Sequence, residues 1–252
     1  MIEVFILSII QGITEFLPIS SSSHLIIVSN YINFESQGLS IDVSLHIGSF
    51  FAVILYFKKD IFNLVKNKDL FFKILISSLP VMLAGFFLIQ FDLIDQLRNI
   101  KVIGWTTLIF GVLLFISDKF KLNKSIDDNF NYKSALFIGV LQILSLIPGV
   151  SRSGITISAA RVLKFNRFDS AKISFLISIP TLAAVSLFGL NNLIVSENIN
   201  FSTLSIVSIL LSFIFSFMTI KYFLKYLKTF SLFIFVLYRV ILGLIILFFA
   251  YL

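Results

Sequence analysis

Apolar runs of membrane-spanning length, separated by short loops rich in lysine, occupy almost the whole chain. Residues 41–57, 74–91, 102–117, 173–190, 204–220 and 231–252 read as helices that cross a hydrocarbon core about 30 Å thick. Of the 252 residues 58% are hydrophobic and 31 are Phe. The charged share of 13% is about half that of a soluble domain. A soluble fold of this size has no means of hiding so much apolar surface. The net charge of +7 therefore does not point to nucleic acid; the basic residues sit in loops, as cytoplasmic loops of membrane proteins do. The absence of cysteine excludes a disulfide, a thiol nucleophile and a Cys-bound metal. The start Met-Ile-Glu lacks the basic segment of a cleaved signal peptide, so the first apolar piece is expected to belong to the fold.

Two apolar stretches are broken in the middle. The first carries Gln11-Gly-Ile-Thr-Glu-Phe-Leu-Pro-Ile-Ser-Ser-Ser-Ser-His24, and the second carries Pro148-Gly-Val-Ser-Arg-Ser-Gly154. Neither half of a broken stretch spans comfortably, and irregular backbone at membrane depth is tolerated only inside protein or beside a cavity. Each is read as a re-entrant helical hairpin. Loop charge then orients the chain. The loops holding Lys58 to Lys73, Lys119 to Lys133, Arg161 to Lys172 and Lys221 to Lys228 are cytoplasmic. Those around Glu35, Asp92 to Lys101 and Glu197 lie outside, as do both termini. The expected fold is an all-α polytopic membrane protein: six transmembrane helices plus two re-entrant hairpins in an inverted-topology repeat. It is one domain, 1–252, with repeats of roughly 1–117 and 134–252. A shift of 130 residues pairs Pro18 with Pro148, Ser21 with Ser151, Ser23 with Ser153 and Ser44 with Ser174.

In such a repeat the two hairpin tips meet near the bilayer midplane. One brings Gln11, Glu15, Ser20, Ser21, Ser22, Ser23 and His24; the other brings Ser151, Arg152, Ser153, Gly154 and Thr156. A proline ahead of each second arm suggests a helix start there. Helix N-termini bind phosphates, and a guanidinium is a forked, permanent donor for phosphate oxygens. Together the tips form a diphosphate cradle in a membrane. Blander roles stand beside this one. Membrane serines commonly bond only to neighbouring helices, Glu15 and Arg152 form a plain buried pair in that reading, and His24 caps a helix. His46 is assigned a packing or supporting role, and Arg239 is left outside the site.

The two motifs resemble the signatures of the bacitracin-resistance type of undecaprenyl-diphosphate phosphatase. The stretches S-L-H-I-G-S-F-F-A-V, I-K-Y-F-L-K-Y-L-K and F-V-L-Y-R are also similar to that family, so the resemblance covers essentially the whole chain. It implies an enzyme of the bacterial cytoplasmic (inner) membrane that removes the terminal phosphate of undecaprenyl diphosphate. The product, undecaprenyl phosphate, carries peptidoglycan precursors, and abundance of the enzyme confers bacitracin resistance. The resemblance further implies a divalent cation, Mg2+ or Ca2+, with Glu15 as ligand or base. Glu15, Ser21, His24 and Arg152 then match the catalytic positions, with Gln11, Ser20, Ser22, Ser151, Ser153, Gly154 and Thr156 on the substrate. Many members carry Glu in place of Gln11 and Gly in place of Ser23. The expected partners are a polyprenyl diphosphate lipid and the bilayer, with no nucleic acid; a homodimer stays open. Ser21 is either a nucleophile activated by His24, whose spacing allows a Ser–His pair, or a phosphate-oxygen donor.

The rival of another class is an inverted-repeat transporter of an anionic lipid or phosphate. It would use Arg152 and the helix N-termini but has no need of an adjacent Ser, His and Glu. An intramembrane serine protease would need G-x-S-G, and Ser151 stands where the first glycine belongs.

Overall fold

The computed structural model describes residues 2–32, 39–91, 97–120, 124–195 and 203–252. The expectations for the loops around Glu35 and Glu197, for Asp92 and for Lys121 lie outside the described residues. Apart from one isolated bridge between Lys124 and Phe165, the described residues hold no β-structure. The helices are α1 (Ile2–Thr14), α2 (Ser21–Ile32), α3 (Leu39–Tyr56), α4 (Lys58–Lys66), α5 (Lys68–Gln90) and α6 (Ile100–Asp118). Then come α7 (Ile126–Asn129), α8 (Tyr132–Gln142), a 3-10 turn (Ile143–Leu146), α9 (Arg152–Val162), α10 (Arg167–Val195), α11 (Thr203–Tyr226) and α12 (Phe233–Tyr251).

Five of these, α5, α6, α10, α11 and α12, are long and apolar enough to cross a membrane. Their outer faces carry exposed Phe86, Phe87, Leu210, Ile241 and Phe248. Exposure of that kind suits lipid rather than water. The inner seams are built of small residues. Ser208, Ser212 and Ser216 form a buried stripe on α11. Ser49 of α3 meets Ser212 and Ser216 at 3.2 and 3.0 Å. A Cβ on Gly48 would stand 2.5 Å from the Ile209 carbonyl, so α3 and α11 touch backbone to backbone there. Lipid gives no hydrophobic drive for helix association, so close approach of small residues and interhelical hydrogen bonds hold the bundle.

One segment expected as loop is helical. Residues 58–66 form α4, and α5 begins at once at Lys68, where the Asn67 side chain accepts from Leu70 N at 3.2 Å. A side-chain cap restarts the helix after a single residue.

The two broken stretches fold as helix–turn–helix pairs. The buried face of α1 carries Val4, Leu7, Ser8 and Gln11. The helix stops before Pro18, which disfavours helical backbone at Leu17. A proline precedes each second arm, as expected from sequence, but it lies in the turn and not in the first helical turn. Ser20 and Ser151 stand immediately before α2 and α9, and both hold left-handed backbone, φ 74° and 71°. For a residue with a side chain, such a conformation costs about 1–3 kcal/mol and persists only where neighbours enforce it. The Ser20 hydroxyl is tied to Ser22 and Ser23 at 3.3 and 3.0 Å. The Ser151 hydroxyl accepts from Gly154 N at 3.1 Å. This equivalence is one position off the register that pairs the prolines. It also pairs Gln11 with Gln142, both fully buried.

Candidate active site

The turn after α1 and the start of α9 meet at Glu15. Its Oε1 accepts from Arg152 Nη2 at 2.6 Å. Its Oε2 accepts from Ser21 Oγ at 2.7 Å and from Gln11 Nε2 at 3.0 Å. Glu15 is 7% exposed. Breaking a buried pair by removing one partner costs about 3–5 kcal/mol, so neither charge is readily dispensable. A second tie crosses between the tips, from Ser153 Oγ to the Leu17 carbonyl at 2.7 Å. Arg152 Nη1 is buried and has no hydrogen-bond partner, and the same holds for Gln11 Oε1. Buried groups of this sort are normally satisfied, so each calls for an explanation.

Gln11, Glu15, Ser21, Arg152 and Ser153 thus come together across the two tips. Ser20, Ser22 and Ser23 cluster through their hydroxyls at the head of α2, with Ser22 exposed. Ser151 and Gly154 are occupied with one another in the cap of α9. Thr156 is turned away: its hydroxyl bonds the Arg152 carbonyl at 2.8 Å and Ser174 Oγ at 2.7 Å, and it is fully buried.

The Ser21–His24 pair that the spacing allows is not made. His24 Nδ1 donates to the Ser20 carbonyl at 2.6 Å, and Nε2 accepts from Tyr238 Oη at 2.6 Å. The His24 and Tyr238 rings stack, 5.7 Å apart and 10° from parallel. The turn before α2 brings Ser21 back over α1, so its hydroxyl finds Glu15 first.

His46 Nδ1 accepts from Gln11 Nε2 at 3.2 Å, a supporting contact that joins α3 to the site. Two residues were missed or underrated in the sequence. Tyr238 holds His24. Arg239 is fully buried and donates to the Pro18, Gly149 and Val150 carbonyls at 3.2, 2.7 and 3.0 Å. An ionisable residue in the middle of the last apolar run was the signal for it.

No group of three or more His, Cys, Asp or Glu that could hold a metal occurs among the described residues. Mg2+ is commonly held by one or two carboxylates plus substrate oxygens, so Glu15 could serve an ion shared with a phosphate substrate. The unpartnered Gln11 Oε1 beside Glu15 is an oxygen suited to it.

The model of the bacitracin resistance protein BacA family matches residues 4–245. The undecaprenyl-diphosphatase of Pelagibacter ubique (strain HTCC1062) is 51% identical over 97% of this chain and 95% of that protein. That of Jannaschia sp. (strain CCS1) is 39% identical over 98% and 97% of the respective chains. That of Saccharophagus degradans (strain 2-40 / ATCC 43961 / DSM 17024) is 41% identical over 94% and 93%.

Proposed function

The chain belongs to the BacA bacitracin-resistance family, and from that premise we propose how its two tips remove the terminal phosphate of undecaprenyl diphosphate. The reaction yields undecaprenyl phosphate and inorganic phosphate in a multi-pass bacterial membrane enzyme. One observation carries the proposal for the site: Glu15 bonds Ser21 and Arg152 at once, one from each tip.

The diphosphate lies between the tips. Arg152 Nη1, already buried and unpartnered, donates to it while Nη2 stays on Glu15. The first-turn amides of α2, and those of Arg152 and Ser153 ahead of the capped Gly154 in α9, add donors without intrahelical partners. Phosphoryl transfer is catalysed mainly by positioning and charge stabilisation, and this is what the cradle supplies. Ser21 Oγ attacks the terminal phosphorus and Glu15 Oε2 takes its proton. The bond from that phosphorus to the bridging oxygen breaks, and undecaprenyl phosphate leaves with the proton that Glu15 had taken. Water then attacks the phosphoserine, with the freed Glu15 carboxylate accepting a proton from the water and passing it to Ser21 Oγ as the serine–phosphorus bond breaks. His24 and Tyr238 hold the head of α2 in place. Glu15 and Gln11 Oε1 would hold a divalent cation together with the diphosphate, where it would neutralise charge on the phosphate oxygens. The polyprenyl tail has a candidate seat in an apolar groove of about 430 Å3 lined by Ile13, Leu17, Phe215, Met218, Tyr222 and Phe235.

The architecture proposed with this site is the inverted repeat, with α3 as a sixth span and both termini outside. Its support is the mirrored packing of α1 on α11 and of α8 on α5, together with the matched caps Ser20 and Ser151. Both tips of the proposed site come from one chain.

The test is phosphate release from undecaprenyl diphosphate by purified protein in detergent. Release that stops with EDTA, returns with Mg2+ or Ca2+, and is lost by about 10²-fold or more in Glu15→Gln is expected, since general bases contribute about that much. Undiminished release by Glu15→Gln would remove Glu15 from the chemistry.

A further inference from the structure

Arg239 lies in the middle of α12 with no exposed surface. A permanent charge at such a depth costs at least about 2.5–3.5 kcal/mol, so ordinary bracing is better served by apolar packing. Its partners explain its presence. Nη1 donates to the Pro18 carbonyl at 3.2 Å and to the Val150 carbonyl at 3.0 Å. Nη2 donates to the Gly149 carbonyl at 2.7 Å, and Nε to the Thr107 carbonyl at 3.2 Å. Pro18 belongs to the turn before α2, Gly149 and Val150 to the turn before α9, and Thr107 to α6. One rigid fork therefore grips the backbone of both tips and anchors them to a spanning helix.

The surroundings are shaped for this group. A Cβ on Gly111 would sit 3.0 Å from Arg239 Cβ, and one on Gly154 would sit 2.9 Å from Nη1. Gly149 holds φ +95°, and a Cβ there would collide with Thr106 Oγ1. The turn that offers its carbonyl to Arg239 is thus open only to glycine.

We infer that Arg239 is a positioning residue that sets the two tips against one another, so that Arg152 meets Glu15 and both helix starts face the same diphosphate. The inference rests on the reading of the two tips as one catalytic site. Arg239 acts through carbonyls at the tip turns and takes no part in bonds with Glu15, Ser21 or Arg152. Lysine would keep the charge but not the planar fork that reaches several carbonyls in one plane.

The experiment compares wild type, Arg239→Lys and Gly111→Ala as full-length protein in detergent. It measures kcat per folded molecule and KM for undecaprenyl diphosphate, with folded fraction taken from thermal unfolding. Gly111→Ala adds one methyl against Arg239 from α6, outside the site, and favours helix, so it keeps the test alive if Arg239→Lys folds poorly. A misplacement of about 1 Å costs about 10²-fold, so kcat is expected to fall about 30- to 100-fold in Arg239→Lys, less in Gly111→Ala, with KM within about threefold. Loss of thermal stability with kcat per folded molecule unchanged in both variants would reduce Arg239 to a brace and overturn the inference. A raised KM with unchanged kcat would overturn it too, by making Arg239 a substrate ligand. Glu15→Gln runs alongside: full turnover there would sink the site reading itself, whatever the Arg239 variants do.

Discussion

Ser21 and His24 stand three residues apart on one turn of α2, yet each turns to a different partner. Ser21 reaches Glu15, and His24 is fixed between the Ser20 carbonyl and Tyr238. In the proposed reaction the two divide attack and support between them. Ser21→Ala is expected to lose about 10²-fold or more in phosphate release, because the attacking oxygen is removed. Tyr238→Phe removes one hydrogen bond worth about 1 kcal/mol and is expected to cost about five- to tenfold. Steady-state release by the two variants checks the order; a Tyr238→Phe loss as deep as that of Ser21→Ala would make His24, not Glu15, the base. Arg152 belongs to the same scale. Its one guanidinium serves Glu15 through Nη2 and leaves Nη1 without a partner, the atom the proposed reaction gives to phosphate.

At the scale of the helices, close backbone approach decides what the hairpins pack against. A Cβ on Gly12 would come 2.4 Å from Phe215 Cβ, where α1 lies on α11. A Cβ on Gly139 would come 2.5 Å from the Ser77 carbonyl, where α8 lies on α5. Gly139→Val is expected to destabilise by about 1–3 kcal/mol, since a rigid backbone atom cannot step aside. Gly85→Ala is the control, its nearest neighbour being Leu146 Cδ2 at 3.6 Å. A lowered thermal midpoint in detergent for the first and not the second checks this. The breaks in the two apolar stretches were legible, because Pro18 and Pro148 with their serine clusters cannot continue a lipid-facing helix. Where the second arms begin was not. That depends on Ser20 and Ser151 entering left-handed backbone, and nothing in a serine announces a positive φ. The helical α4 was hidden for a related reason: a lysine-rich loop and a short surface helix have the same composition.

Over the whole molecule, loop charge and apolar length sketch the path of the chain, but not which helix touches which. Apolar side chains meet lipid as readily as one another, so the packing of α1 on α11 and of α8 on α5 left no trace in hydropathy. Arg239 was marked by its place in the last apolar run, but its partners were illegible, because they are main-chain carbonyls, which every residue carries. Glu15 and Arg152 were legible because a charge at membrane depth demands a partner, and the topology left few others. What joins these facts is the meeting of the two tips in one site. The most direct measurement of that claim is a double-mutant cycle on kcat/KM for undecaprenyl diphosphate with Glu15→Gln, Arg152→Gln and both. Residues that work as a unit are strongly non-additive. The double variant is therefore predicted to lose no more than the worse of the two single variants. Losses that multiply would show two independent contributions and contradict a single site built from both tips.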